Sequence, residues 1–318
     1  MAQRNPKLSV REQVELMKSH GIRFSVMNEE QAAAYMETDT YYFKLKAYAV
    51  LFDKDSGGKY RDLEFAYLKD LAIIDSVLRK KLLQMSLDIE HYLKVLLLRD
   101  FNRSDEDGYE IVSDFLSGDP GRYDEELKSR ESGRACSRLV QKYRGNFALW
   151  NIIEVISFSD FQDLYQFFYR RNGKKLYPDE KQKQPGPYAE LMTPVRLLRN
   201  TAAHNNCLLN NLRQPFFDAD MLKRDREIGA FLERHGMDAR LLRIALRNPL
   251  LHDYSALLYL FYRLAPPDAQ GRTFRSLQAT FAGRVCKHAE YYNGKNALLT
   301  SAYEYAVSLI GIFCRLAD

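Results

Sequence analysis

Residues 63–101 read "LEFAYLKDLAIIDSVLRKKLLQMSLDIEHYLKVLLLRDF", and the reading of this stretch decides the fold class. Apolar side chains fall at Leu71, Ile74, Leu78, Leu82, Met85, Ile89, Tyr92 and Leu96. Steps of three and four place them on one face of a helix over many turns. No proline or glycine interrupts the run. The pattern predicts one long helix, or two nearly continuous ones, as the spine of a bundle.

Outward from the spine the same periodicity recurs. "DKDSGGK" (53–59) is a turn, and the aromatic-rich "YYFKLKAYAVLF" (41–52) before it suits either a helix or a strand. After the spine, "NRSDEDGYE" breaks the helix and a segment of mixed charge follows at 119–145. "FALWNIIEVISFSDFQDLYQFFYRR" (147–171) reads as two helices meeting near Ser157–Asp160. "NGKKLYPDEKQKQPGPY" (172–188) combines turn residues with lysines and is expected as an exposed loop. The last hundred residues are again helical, with a break at "APPDAQG" (265–271). The most apolar segment, "ALLTSAYEYAVSLIGIFCRL", is interrupted by Tyr303, Glu304 and Tyr305. Its unbroken apolar runs fall far short of the roughly 20 residues a bilayer requires, so a buried closing helix is expected and no membrane role. The fold class is therefore all-α.

Composition narrows the setting. The 318 residues, 46% hydrophobic, are enough for one large or two medium domains with a proper core. A net charge of +5 permits an anionic partner without requiring one. Cys136, Cys207, Cys286 and Cys314 form no CxxC pair, which argues against a zinc ribbon or a disulfide framework and suits a reducing cytoplasm. The first twenty residues contain no apolar stretch of the kind a secretory signal uses.

The chemistry-bearing stretch is "RNTAAHNN" (199–206). Thr193 as N-cap and Pro194 at the first helical position would start its helix, with Val195, Leu198 and Ala202 facing the core. On such a helix Arg199 and His204 lie about 7.5 Å apart along the axis and roughly 140° apart around it. Asn200 and His204, four residues apart, share a face. These residue types suit metal-free cleavage of RNA. An imidazole exchanges protons with the ribose 2′-OH or the leaving 5′-oxygen, and a guanidinium binds the scissile phosphate. One histidine performs half of this acid–base work, and a two-fold dimer would supply the other half. The spacing alone leaves a structural histidine beside a helix end as the alternative. "RNPLLH" (247–252) repeats the spacing through Arg247 and His252, but Pro249 inside it disfavours a continuous helix, and it is rejected as a second site.

The order and spacing of "YYFKLKAYAVLF", "LRKKLLQMSLDIEHYLKVLLLRDF", "LWNIIEVISFSDFQDLY" and "LLRNTAAHNN" resemble the Abi-like (abortive infection) family of bacterial proteins, within the HEPN superfamily of helical RNases. The resemblance covers roughly residues 40–215. It implies a HEPN-like helical bundle, usually dimeric, with additional N- and C-terminal helices. The corresponding division is an N-terminal extension at 1–40, a core at 41–215 and a C-terminal helical region at 216–318. It also implies metal-independent endoribonuclease activity in phage defence, with no cofactor and with RNA as partner, as substrate or as a structured non-coding regulator. Arg199 and His204 carry over as the catalytic pair and Asn200 as an accessory. Where the family continues with another histidine and an aromatic-rich stretch, this chain has "NNCLLNN".

Further candidates are Arg79 and Glu90, which either support the site or hold neighbouring helices, and Glu154, which either orients Arg199 or His204 or is buried beside Trp150. His91 reads as an ordinary helix residue and Tyr92 as core. Lys174, Lys175, Lys181 and Lys183 are candidate RNA contacts in the 172–188 loop. Two other functions remain open: an RNA-binding scaffold that does not cut, and an interaction module acting through a protein partner.

Overall fold

The stripe at 63–101 forms one unbroken 37-residue helix, Phe65–Phe101, in the computed structural model, which describes residues 7–133, 136–178, 186–213 and 226–318. The helices preceding it are α1 (Val10–Ser19), α2 (Glu29–Thr38) and α3 (Tyr42–Ala49), and the spine is α4. Then come α5 (Glu110–Ser117), α6 (Pro120–Ser132), α7 (Ser137–Tyr143), α8 (Leu149–Ile152), α9 (Phe158–Leu176) and α10 (Ala189–Ala203). A 3-10 turn at Leu209–Arg213 follows. The remaining helices are α11 (Arg226–Arg234), α12 (Ala239–Ala245), α13 (Pro249–Leu264), α14 (Pro267–Leu277), α15 (Gly283–Cys286) and α16 (Ala297–Ala317). Among the described residues there is no strand, and two isolated bridges, Arg23 to Glu64 and Lys54 to Tyr60, are the β-type pairings outside helices. The all-α expectation holds.

Two compact units divide the chain. The first takes Met1–Met85, Leu198–Tyr262 and Pro266–Asp318, and the second takes Ser86–Leu197 with Arg263–Ala265. Both α4 and α10 supply residues to each.

In the first unit α3 settles the helix-or-strand question at 41–52. Lys44, Leu45, Tyr48 and Ala49 are buried at helical spacing. "DKDSGGK" is a tight turn in which the Asp55 carboxylate accepts from the backbone of Gly57 (2.8 Å) and Lys59 (3.0 Å). The closing helix α16 is long and apolar enough to cross a bilayer by length and composition. In the fold it buries Leu299, Leu309, Ile310 and Phe313, and the Phe313 ring stacks on Phe274 of α14 at 5.2 Å. Its apolar side is a core face.

In the second unit the far half of α4 buries Ile89, Leu93 and Leu96. Tyr92 is half-buried, a correction to its reading as core, because Leu93 takes the inward position as the stripe drifts around the axis. The junction expected near Ser157–Asp160 is the start of α9, which Ser157 caps through Asp160 N, while α8 ends five residues earlier at Ile152. The α9 helix runs on to Leu176, so Lys174 and Lys175 sit in its last turn and not in a loop. Asn172 holds that extension by donating to Glu106 Oε1 (3.0 Å) and Phe168 O (3.1 Å). Lys181 and Lys183 lie outside the described residues.

One titrating pair in this unit has a measurable consequence. Glu126 of α6 accepts from Ser157 N at 2.9 Å and from Arg130 at 3.4 Å, and it hydrogen-bonds Asp160, which also pairs with Arg122. Burial, with Asp160 alongside, pushes the Glu126 carboxyl up to about 7. The folded chain thus keeps a proton that the unfolded chain releases above its ordinary value near 4.5. That stabilisation is complete below the ordinary value and is lost as pH rises through about 7. Between pH 6 and 8 the melting temperature of the wild type should fall by about 2–4 °C more than that of Glu126→Gln. Parallel melting curves would overturn this assignment.

Candidate active site

The helix that carries "RNTAAHNN" starts earlier than its sequence signals suggest. Gly186 at φ 96° and Tyr188 at φ 61° turn the chain, and α10 begins at Ala189. A Cβ at Gly186 would lie 2.6 Å from the Tyr169 ring, so only glycine fits the turn. Thr193 is consequently not the N-cap, and its hydroxyl instead accepts from Gln162 Nε2 at 2.8 Å. Pro194 lies inside the helix, where its missing N–H leaves Glu190 O without the usual intrahelical donor. The inward stripe is as expected, with Val195, Leu198 and Ala202 all buried.

The other end of α10 carries the site. His204 caps the helix just past its last residue, Ala203, with its N–H bonded to Asn200 O at 3.0 Å. Asn205 then adopts φ 55°, Asn205 N donates to Ala202 O (3.1 Å) and Asn206 N to Thr201 O (3.0 Å). These two bonds make a Schellman ending with asparagine at the left-handed position. The helices α1 and α11 end the same way on Gly21 and Gly236. At α10 the position therefore carries an amide side chain beside the imidazole. Asn200, His204, Asn205 and Asn206 are exposed and Arg199 is half-buried. Asn200 and His204 share one outward face, while Arg199 flanks it.

Beneath this exposed tip lies a buried ionic anchor. Asp75, with no solvent exposure, pairs with Arg79 one turn along α4 and accepts from Tyr48 Oη at 2.8 Å. Its other oxygen accepts from the backbone N–H groups of Leu208 and Leu209, both at 2.9 Å. Arg79 reaches Asn206 O at 3.5 Å, Lys44 Nζ donates to Asn205 O at 2.9 Å, and Cys207 Sγ donates to Lys44 O at 3.9 Å. Burial and the neighbouring Arg79 guanidinium lower the Lys44 ammonium from its ordinary value, and burial raises the Tyr48 phenol. Farther along, Arg213 donates to Leu51 O (3.0 Å) and Asp53 (2.8 Å). The chain leaving His204 is thus fixed at both carbonyls and both following amides.

The structure brings together Asn200, His204 and, through the turn, Arg79. Glu90, in the second unit, pairs with Lys94 of its own helix at 3.2 Å. Glu154 is exposed in the turn after α8, and Trp150 is 48% exposed, so the two are not a buried pair. Lys175 approaches Asp105 at 3.9 Å. His91 is exposed on α4. "RNPLLH" is a structural feature: Asn248 caps α13 through Leu250 N (3.1 Å), Pro249 is its first residue and His252 is buried against Asp253. Sequence reasoning missed Lys44, Asp75 and Asn205. A signal for Asp75 was present, because Asp75 and Arg79 fall among Leu71, Leu78 and Leu82 on the inward stripe, where unpaired charges are not tolerated.

A family model described as Abi-like protein matches residues 36–210, more than half of the chain, and spans α3, the spine and all of the anchored turn. Comparison with curated proteins and with solved structures gave no match. With α10, its pinned end and the spine inside one matched segment, the chain belongs to the Abi-like protein family.

Proposed function

We propose that this protein is a HEPN-type endoribonuclease that cuts RNA without metal and serves as an abortive-infection effector in bacterial antiphage defence, working in the cytoplasm as a homodimer. The observation that carries the reading is the contrast at the end of α10. A solvent-exposed His204 and Asn200 stand on backbone held by the buried Asp75, Arg79 and Lys44. Ordering a surface turn with buried charge is unfavourable unless the turn must be held still. A binding-only scaffold, the second reading, would expect His204 to be buried or bonded away from solvent, and its exposure supports cleavage instead.

In the proposed reaction His204 accepts the proton of a ribose 2′-OH as that oxygen attacks the adjacent phosphorus. Arg199 binds the non-bridging phosphate oxygens and offsets their growing charge. The P–O5′ bond breaks, the partner subunit's His204 gives a proton to the leaving 5′-oxygen, and the products are a 2′,3′-cyclic phosphate and a 5′-hydroxyl. Asn200 and Asn205 supply amide groups for the sugar or the base edge.

The direct test incubates purified protein with cellular RNA in excess EDTA, with oligomeric mass measured in parallel. Fragments bearing cyclic phosphate ends, made by a dimer, are expected. Cleavage that requires an added divalent metal, or intact RNA under every condition, would overturn the proposal.

A further inference from the structure

A second constellation lies within the first unit, on the opposite side of the spine helix from the anchored turn. Ala66, Lys69, Asp70 and Ile73 of α4 line a cleft of about 500 Å³. They stand roughly 150° around the helix axis from Asp75 and Arg79. The cleft does not share its walls with the His204 site.

The lining of this cleft carries two chemistries. Val26, Met27 and Ile73 are apolar. The loop bearing Val26 is held by the buried Glu64 carboxylate, which accepts from Ser25 N (3.0 Å) and Val26 N (3.3 Å). Lys69, Arg284 and Lys287 are cationic, and His288 stacks on Tyr291 at 4.8 Å with its Nδ1 3.2 Å from Glu290. The one acid among the lining residues, Asp70, is already engaged by Arg284 and by Tyr292 Oη at 2.9 Å. Arg284 is therefore fixed by one edge, while its Nη1 meets no hydrogen-bond acceptor among the described residues. Lys69 lies over the Tyr35 ring at 4.9 Å and Lys287 is exposed, so neither ammonium is neutralised by a carboxylate ion pair among the described residues.

We propose that this cleft binds a nucleotide through its phosphate, either a free mononucleotide or the phosphate-bearing end of an RNA strand. Two ammonium groups without a carboxylate partner, beside a guanidinium already oriented by a carboxylate, favour a phosphate. The volume is far more than a bare phosphate fills, and the apolar lining residues accommodate a flat base. Gln31 and His288, also in the lining, supply groups for the base edge.

Calorimetric titration of the full chain with adenosine 5′-monophosphate, adenosine and inorganic phosphate tests this site. Short RNAs with and without a 5′-phosphate, titrated into the His204→Ala chain so that they stay intact, form the second arm. The monophosphate or the 5′-phosphorylated RNA should saturate one site, with adenosine, inorganic phosphate and 5′-hydroxyl RNA each weaker by about tenfold or more. Binding of the monophosphate assigns the free nucleotide, and binding of the phosphorylated RNA alone assigns the strand end. Lys287→Ala, at an exposed position, and Lys69→Ala, at a half-buried one, should each weaken that binding by about tenfold, and His204→Ala should leave it unchanged. No saturable binding, equal binding of inorganic phosphate, or unchanged binding by both lysine variants would overturn the site. These readouts do not depend on RNA cleavage, so this proposal and the endoribonuclease proposal can fail separately.

Discussion

His204→Ala is expected to reduce RNA cleavage by about 10²- to 10⁴-fold, the range for loss of a positioned general acid–base group. The melting temperature should hardly move. The side chain is exposed, and the structural work at this position is done by the backbone, through His204 N to Asn200 O and the two Schellman bonds that follow. Exposed substitutions of this kind stay within about 0.5 kcal/mol. Arg199→Lys keeps a positive charge but loses the planar fork, so it should also be strongly impaired. Because imidazole and guanidinium act on one transition state, the combined variant should be little worse than the more damaging single change. Initial rates on a defined RNA, with melting curves beside them, decide the matter. Wild-type rates from both single variants would sink the catalytic assignment.

The largest effect on stability is expected at Asp75. Asp75→Ala removes the partner of the buried Arg79 and the acceptor of Tyr48 Oη and of two backbone amides. Stranding a buried charge in this way costs about 3–5 kcal/mol. The corresponding fall in melting temperature is on the order of 10 °C. A paired replacement separates stability from function. Asp75→Leu with Arg79→Leu replaces the ion pair by apolar volume, and such exchanges recover much of the stability. It still releases Asn206 O and the amides of Leu208 and Leu209, so the turn behind His204 loosens. Cleavage by the paired variant should then fall by about 10²-fold, the sensitivity expected for a misplacement near 1 Å. A paired variant that melts near the wild type and cuts normally would show that the anchor serves folding alone.

How much of this was legible beforehand depended on the range of the interactions involved. The spine, the 53–59 turn and the inward stripe of α10 follow from patterns within a few residues, whereas the break expected at 265–271 narrows to Ala265 and Pro266 because α14 begins at Pro267. The start of α10 did not follow, because Thr193 and Pro194 imitate a helix start. The actual turn depends on Gly186 lying against Tyr169, and on Tyr165 Oη donating to Pro187 O at 2.6 Å. The extension of α9 through Lys174 and Lys175 was hidden for a similar reason. Asn172 and Gly173 discourage a helix locally, whereas the Asn172 contact with Glu106, 66 residues away, supports one.

The sequence by itself determined the helical class, the long spine and a helix that carries Arg199 and Asn200 toward His204. Side-chain periodicity and helix geometry are local properties of the chain. Only the tertiary structure decided that His204 ends its helix at the surface and that Asn205 occupies a left-handed position. It alone revealed that the following turn hangs from Asp75, Arg79 and Lys44, residues 127 to 163 positions away along the chain. Asp75 and Arg79 are charges on an apolar stripe, and burial is tolerable for them only because those distant backbone groups complete their hydrogen bonds. No pattern within one helix carries that information, since the partners meet only once the chain has folded.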